Sequence, residues 1–210
     1  MMDLFRYPKV RHIRKLLPPS WKSYHLYKPI LQQEFRSSCV YCRLPDASKG
    51  IDSFGVDHYR PKSKFPHLVA EYLNLFYACN CCNRNKADFW PDSIQMNDGH
   101  FIPNPCEHIM FDHLRYDGVI VSANSVTGTF AIDLLDLNDD ASIEYRQMLL
   151  DIVNSLKEKY ERIRYTISRI DRQIRVTKSR KEKNNLKRLK TNHEKNLFRL
   201  ESYLEKFSGK

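Results

Sequence analysis

Two cysteine pairs constrain this chain more than any other feature. Two residues separate Cys39 from Cys42, two separate Cys79 from Cys82, and 36 residues lie between the pairs. A Cys-x-x-Cys turn wraps backbone around one metal ion, and two such turns supply the four thiolates of a tetrahedral structural zinc site. Disulfides are the competing use of paired thiols. The N-terminal arm argues against them, because Met1 to Pro19 mixes Arg6, Lys9, Arg11, Arg14 and Lys15 with scattered apolar residues and lacks the compact apolar run of a secretory signal. No apolar run is long enough to cross a membrane. The expected compartment is therefore the reducing cytoplasm, where thiols stay free for metal. Cys81 is the odd member of its triplet, since Cys79 with Cys82 repeats the spacing of the first pair. Cys106, His108 and His113 follow no common ligand spacing.

Between the pairs, and just past the second, lie residues suited to cutting a phosphodiester. Asp57 and Asn83 offer oxygen to a hard divalent cation. His58, whose ordinary pKa is about 6.5, is neutral often enough near neutral pH to take a proton from water. In a strand Asp57 and His58 point to opposite sides, so they need not compete for one task. Arg60, Lys62 and Lys86 gather positive charge around them and are expected to contact phosphate, with Lys64 and Arg84 as weaker members. Tyr59, Phe89 and Trp90 are read as core packing rather than base stacking.

The ordered set Asp57-His58, Arg60-Pro61-Lys62-Ser63, Asn74, then Cys79-x-x-Cys82-Asn83-x-x-Lys86 resembles the HNH nucleases. That resemblance covers roughly residues 39–90 and implies a ββα-metal finger, with Phe54 to His58 and Leu75 to Ala78 as strands and Cys82 to Phe89 as helix. It also implies roles: His58 as general base, Asp57 and Asn83 as ligands of a catalytic Mg2+ or Mn2+, and Asn74 as the residue that bonds backbone across the loop and holds His58 in place. Asn83 stands where the family name has its last histidine. Outside the finger, the helix running into Cys39-Val40-Tyr41-Cys42, the Asn104-Pro105-Cys106 turn and the stretch ending Leu134-Leu135-Asp136-Leu137-Asn138 resemble a subgroup found in Septu-type and retron-associated antiphage systems. That narrower resemblance implies an ATPase partner of the ABC or SMC type.

Charge is divided unevenly. Of the formal net charge of +10, residues 1–156 carry −1 and residues 157–210 carry +11. A basic tail of this kind suits a polyanion such as nucleic acid. No glycine occurs between Gly128 and Gly209 and no proline after Pro105, so this stretch is expected to be helical. Apolar steps of three or four run from Tyr145 through Leu149, Ile152 and Leu156 to Ile174, and again from Leu186 to Phe207. They predict two long helices meeting at a polar bend around 177–185 and packed as an antiparallel hairpin. Upstream, Ser20 is read as the cap of a helix reaching Phe35. Residues 101–133 read as short strands and turns, with Thr129 to Ile132 β-prone and Asp117-Gly118 as a turn.

The expected architecture is thus α+β, in three segments: an arm and helix at 1–38, a nuclease domain with its zinc site at 39–135, and a basic helical hairpin at 136–210. The expected function is metal-dependent endonucleolytic cleavage of nucleic acid. Hydrolysis of this type needs no 2′-hydroxyl, so the chemistry serves DNA and RNA alike. The alternative is a nonenzymatic zinc module that binds nucleic acid or a protein.

Overall fold

The computed structural model describes residues 4–208; Met1 to Asp3 of the arm and Gly209 to Lys210 of the basic segment lie outside the described residues. The chain parts into two compact units, one running to Gln147 and the other covering Met148–Ser208.

The first unit begins as an extended arm rather than a helix. Its backbone is pinned where His12 N donates to Pro105 O at 2.8 Å and Phe111 N donates to Pro8 O at 3.1 Å. Glu34 ties the same arm from below, accepting from Lys15 N at 3.0 Å and Leu16 N at 2.8 Å. The helix expected from Ser20 begins later. A 3-10 turn at Tyr24–Tyr27 leads into α1, Lys28–Glu34, with a proline in its first turn. Pro29 accounts for the shift, because its missing N–H and fixed φ are tolerated at a helix start and not in its interior.

After the short helix α2 (Asp46–Lys49), strands β1 (Phe54–His58) and β2 (Leu75–Cys79) pair antiparallel, with Phe54 opposite Cys79 and His58 opposite Leu75. Every residue of β2 is buried. Helix α3, Asn80–Lys86, follows without a break, and Asn80 and Asn83 lie over Gly55 of β1. The helix starts two residues before the expected Cys82 because the Cys79 sulfur caps it, accepting from Cys82 N. It stops at Lys86, short of Phe89, where Ala87 takes a left-handed φ of 46°.

The remainder of the unit comprises α4 (Ser93–Asn97), α5 (Met110–His113), a hairpin of β3 (Leu114–Asp117) and β4 (Ile120–Ala123), and α6 (Val126–Leu135). Gly118 makes the expected turn with φ +61°. The β-prone run Thr129 to Ile132 is helical instead, as part of α6. Ser125 caps that helix by accepting from Gly128 N at 3.0 Å, and the apolar positions then fall on one buried face, Ala131 and Leu135. Tertiary packing outweighs the local β propensity. Gly128 is required by that packing, because a Cβ there would stand 2.0 Å from the His113 carbonyl oxygen. Asn138 closes the hairpin edge, accepting from Val121 N at 2.9 Å and donating to Val121 O at 2.7 Å.

Helix α7 runs from Asp140 to Val176 and α8 from Arg180 to Ser208. The start of α7 belongs to the first unit, where Arg146 donates to Val119 O at 2.6 Å and Leu137 O at 2.8 Å. Within the second unit the helices are antiparallel, since Tyr160 bonds Glu201 and Lys190 bonds Asp171. The bend is tighter than the 177–185 read from sequence, because Ser179 Oγ accepts from Glu182 N and starts α8 at once. Leu149, Ile170, Leu200 and Leu204 are buried, and Val153 rather than Ile152 is the buried residue of its turn. Among the described residues no helix is long and apolar enough to cross a membrane.

Candidate active site

The 36-residue interval between the cysteine pairs closes because β1 and β2 form a hairpin within it and β2 delivers Cys79 back to Cys42. The Sγ atoms of Cys39, Cys42, Cys79 and Cys82 all lie within 4.8 Å of one another, and Cys42 Sγ stands 3.7 Å from Cys79 Sγ. Four sulfurs at about 2.3 Å from a tetrahedral zinc are about 3.8 Å apart, so the donor set fits that ion. Hydrogen bonding to Cys39 and the other sulfurs pushes the Cys79 thiol down and the Cys42 and Cys82 thiols up. A divalent cation among the sulfurs would offset the charge of their thiolates. Arg43 stands beside it, donating to Cys39 O at 3.5 Å, and its charge offsets part of the excess of four thiolates over a divalent ion. Cys81 stays outside the cluster, near Arg84 and Asn85. Cys106, His108 and His113 form no metal-ligating group among the described residues: His108 Nδ1 accepts from Asn104 N and His113 Nδ1 pairs with Ser125 Oγ.

His58 ends β1. Its Nε2 lies 3.0 Å from Val69 O, and a carbonyl only accepts, so Nε2 carries the proton and Nδ1 is left as the acceptor of the neutral ring. Among the described residues Nδ1 has no hydrogen-bond partner. Tyr24 packs edge-on against the imidazole, with ring centroids 4.6 Å apart. Burial lowers the His58 pKa, against the opposing effect of the Val69 bond, so the ring is unprotonated at neutral pH. Asn74 bonds backbone across the adjoining loop: its Oδ1 accepts from Arg60 N at 2.9 Å and its Nδ2 donates to Arg60 O at 3.1 Å.

Asp57 points to the other side of β1, the side covered by α3. There Lys86 Nζ donates to Asp57 Oδ1 at 3.0 Å and to His58 O at 2.7 Å, while Tyr41 OH donates to Asp57 Oδ2. Both side chains of this ion pair are 2% exposed. Lys86, expected among the phosphate contacts, is therefore engaged inside the protein. Its place one turn after Asn83 on α3 aims it at β1 rather than at solvent. Arg60 and Lys62 are exposed, and the Arg60 guanidinium lies 5.3 Å from the Trp90 ring centroid. Asn83 Nδ2 donates to Val56 O at 3.5 Å, and among the described residues its Oδ1 accepts no hydrogen bond. Asp57 and Asn83 lie on the same side of β1 and carry the oxygen donors that a hard divalent cation takes, while Lys86 and Tyr41 already bond the two Asp57 oxygens. Such a cation would share Asp57 with Lys86.

Tyr24, Tyr41 and the Val69 carbonyl are the parts that sequence reasoning missed. Tyr41 lies inside the first cysteine turn and was read only as part of that motif. Val69 contributes a backbone oxygen, for which no side chain signals.

A β-hairpin followed by a helix, with an aspartate-histidine pair on the first strand and a four-cysteine cluster at its base, is the ββα layout of a metal finger. The HNH endonuclease family model matches residues 39–89, and this segment is an HNH domain. Along the chain more broadly, 125 residues are 30% identical to the Septu protein PtuB of Bacillus thuringiensis, a match covering 59% of this chain and 45% of that protein. The chain thus aligns with less than half the length of that relative. No solved structure matches.

Proposed function

We propose that this chain is a metal-dependent endonuclease that hydrolyses phosphodiester bonds in nucleic acid. The observation that carries this reading is the His58 ring: Nε2 is fixed as donor to Val69 O, so Nδ1 presents a lone pair in an HNH domain at the end of a strand flanked by exposed Arg60 and Lys62. His58 Nδ1 takes the proton of a water molecule as its oxygen attacks phosphorus. Asn74 keeps the loop after His58 closed, Arg60 and Lys62 hold the strand that is cut, and Lys86 fixes the His58 carbonyl. A bound Mg2+ or Mn2+ on Asp57 and Asn83 would offset charge building on the phosphate and on the departing oxygen. Cys39, Cys42, Cys79 and Cys82 would hold zinc, which would maintain the shape of the finger.

Cleavage of duplex DNA, single strands and RNA, with Mg2+ or EDTA, tests the reading. His58→Ala should lower cutting by about 10²- to 10⁴-fold with zinc content unchanged. Cutting that survives in this variant, or a wild type that cuts nothing in Mg2+ or Mn2+ with its partner present, refutes it. One observation favours the nonenzymatic zinc module instead: the Asp57 carboxylate is buried and already paired with Lys86. The same assay separates the two.

The 30% identity with a Septu protein supports a finer proposal, an effector of a bacterial antiphage system acting in the cytoplasm beside an ATPase partner of the ABC or SMC type. Copurification with such an ATPase from the native operon tests it, and a chain that is recovered free and fully active alone counts against it.

A further inference from the structure

We propose that the tip of the C-terminal hairpin, residues 169–190, is a binding surface for the phosphate backbone of nucleic acid, separate from the catalytic finger and indifferent to base sequence. The charge of the second unit is concentrated there. Residues 169–190 hold ten Lys and Arg against two acids, whereas the rest of the hairpin, 148–168 with 191–208, holds seven against six. The tip therefore carries +8 and everything below it only +1. The bend at 177–179 places the end of α7 beside the start of α8, so both arms present this charge together.

Most of the charge is unspent. Arg172, Arg175, Lys178, Arg180, Lys181 and Arg188 are exposed, and among the described residues none of them forms an ion pair. Asp171, one of the two acids, is taken by Lys190 at 2.7 Å. Arg172 and Arg175 are one turn apart on α7, and Lys181 and Arg188 are two turns apart on α8, so each pair lies along a single helical face.

The arrangement works against the fold that carries it. Arg180, Lys181 and Lys183 occupy the first turn of α8, where the helix dipole disfavours cations, and Glu182 is the single acid in that turn. Like charges spaced by three or four along one face also repel. A hairpin needing only solubility would have mixed signs at its tip as it does lower down. A polyanion bound across both arms relieves the repulsion.

The chemistry of the tip selects backbone over bases and over lipid. No aromatic residue occurs from 169 to 190, so there is no platform for base stacking. An interfacial membrane segment needs a broad apolar face, and only Val176 and Leu189 are exposed large apolar residues here. Contacts limited to phosphates give affinity that depends steeply on salt and little on sequence.

Because the proposal concerns binding, the full chain carrying His58→Ala, loaded with zinc, is the protein to use, so that loss of cutting cannot be mistaken for loss of affinity. Anisotropy of a labelled 30-base-pair DNA duplex across a KCl series is compared with the same chain also carrying Arg172→Gln, Arg175→Gln, Lys181→Gln and Arg188→Gln. We expect at least a tenfold loss of affinity near 0.1 M salt and a slope of log K against log salt shallower by about three to four, the share of four phosphate contacts. Replacing Arg172, Arg175 and Arg188 by Lys should restore binding, and circular dichroism should report unchanged helicity throughout. Equal affinity and slope in the glutamine variant overturn the proposal. So does tip-dependent binding to anionic vesicles that exceeds binding to duplex, or failure of the lysine variant to bind while its helicity is intact.

Discussion

The finger and the hairpin solve the problem of holding charge in opposite ways. In the finger, Asp57 and Lys86 are buried against each other and every hydrogen-bonding atom of the pair is directed by β1, α3 or Tyr41. In the hairpin much of the charge stands in water, and pairs such as Lys190 with Asp171 and Glu194 lie at the surface. A buried pair is costly to break because one charge is then stranded, whereas an exposed pair is screened and gives little. The finger should therefore be fragile to single substitutions, and the hairpin should tolerate them.

The largest test of that contrast is metal removal. A strong chelator, or Cys82→Ser, should release zinc and unfold the first unit, since a structural zinc contributes on the order of 10 kcal/mol or more to small domains of this kind. Most of the helical far-ultraviolet signal from α7 and α8 should remain. Zinc release and thermal melts followed by tyrosine fluorescence check this, and a finger that melts unchanged without metal would end the zinc assignment.

Lys86→Met should come next, at about 3–5 kcal/mol of stability, because it leaves Asp57 buried and unpaired. Adding Asp57→Asn to Lys86→Met should recover part of the loss in a urea titration. If the single variant is as stable as wild type, the pair is not what holds α3 to β1.

Glu34 gives a smaller effect with a pH signature. Burial alone would raise its carboxyl pKa, but the N–H groups of Lys15 and Leu16 and the His12 ring hold it below the usual carboxylate value. A depressed folded pKa contributes stability above the unfolded value of about 4.3 and loses it as pH falls through the folded one. Glu34→Gln should cost about 1–3 kcal/mol at neutral pH and flatten this acid-side loss. Proteolysis of the arm around residues 10–17 should speed up with it. Smallest of all, Lys190→Gln should leave the melting temperature of the hairpin unmoved, as expected for an exposed pair; a clear drop would mean the hairpin relies on its surface ions after all.

What could be read from the sequence depended on range. β1 and the hairpin helices are local patterns, a short β-prone run and steps of three and four; β1 stands where the pattern put it, and the helices do too except that α8 begins at Arg180, inside the expected bend. Cys39, Cys42, Cys79 and Cys82 were legible because thiolates at such spacing have few other uses. Lys86 was misplaced, because a lysine near a phosphate-cutting site and a lysine buried against a carboxylate look alike until the helix beneath it is oriented. Thr129 to Ile132 was misread as strand for a similar reason: its β-branched residues favour extension locally, and only the docking of Gly128 on the His113 carbonyl and the Ser125 cap make it helical.

By itself, then, the amino-acid order determined the parts: four thiolates able to share a metal, a histidine with an aspartate before it and an asparagine on the next helix, and a C-terminal excess of cations. Tertiary structure decided which atoms of those parts are free. Val69 O takes one nitrogen of His58 and leaves the other, Lys86 and Tyr41 occupy Asp57, and the bend at 177–179 gathers the cations at one end. Hydrogen-bond partners distant in sequence set these outcomes, and a linear pattern carries no record of which distant groups will meet.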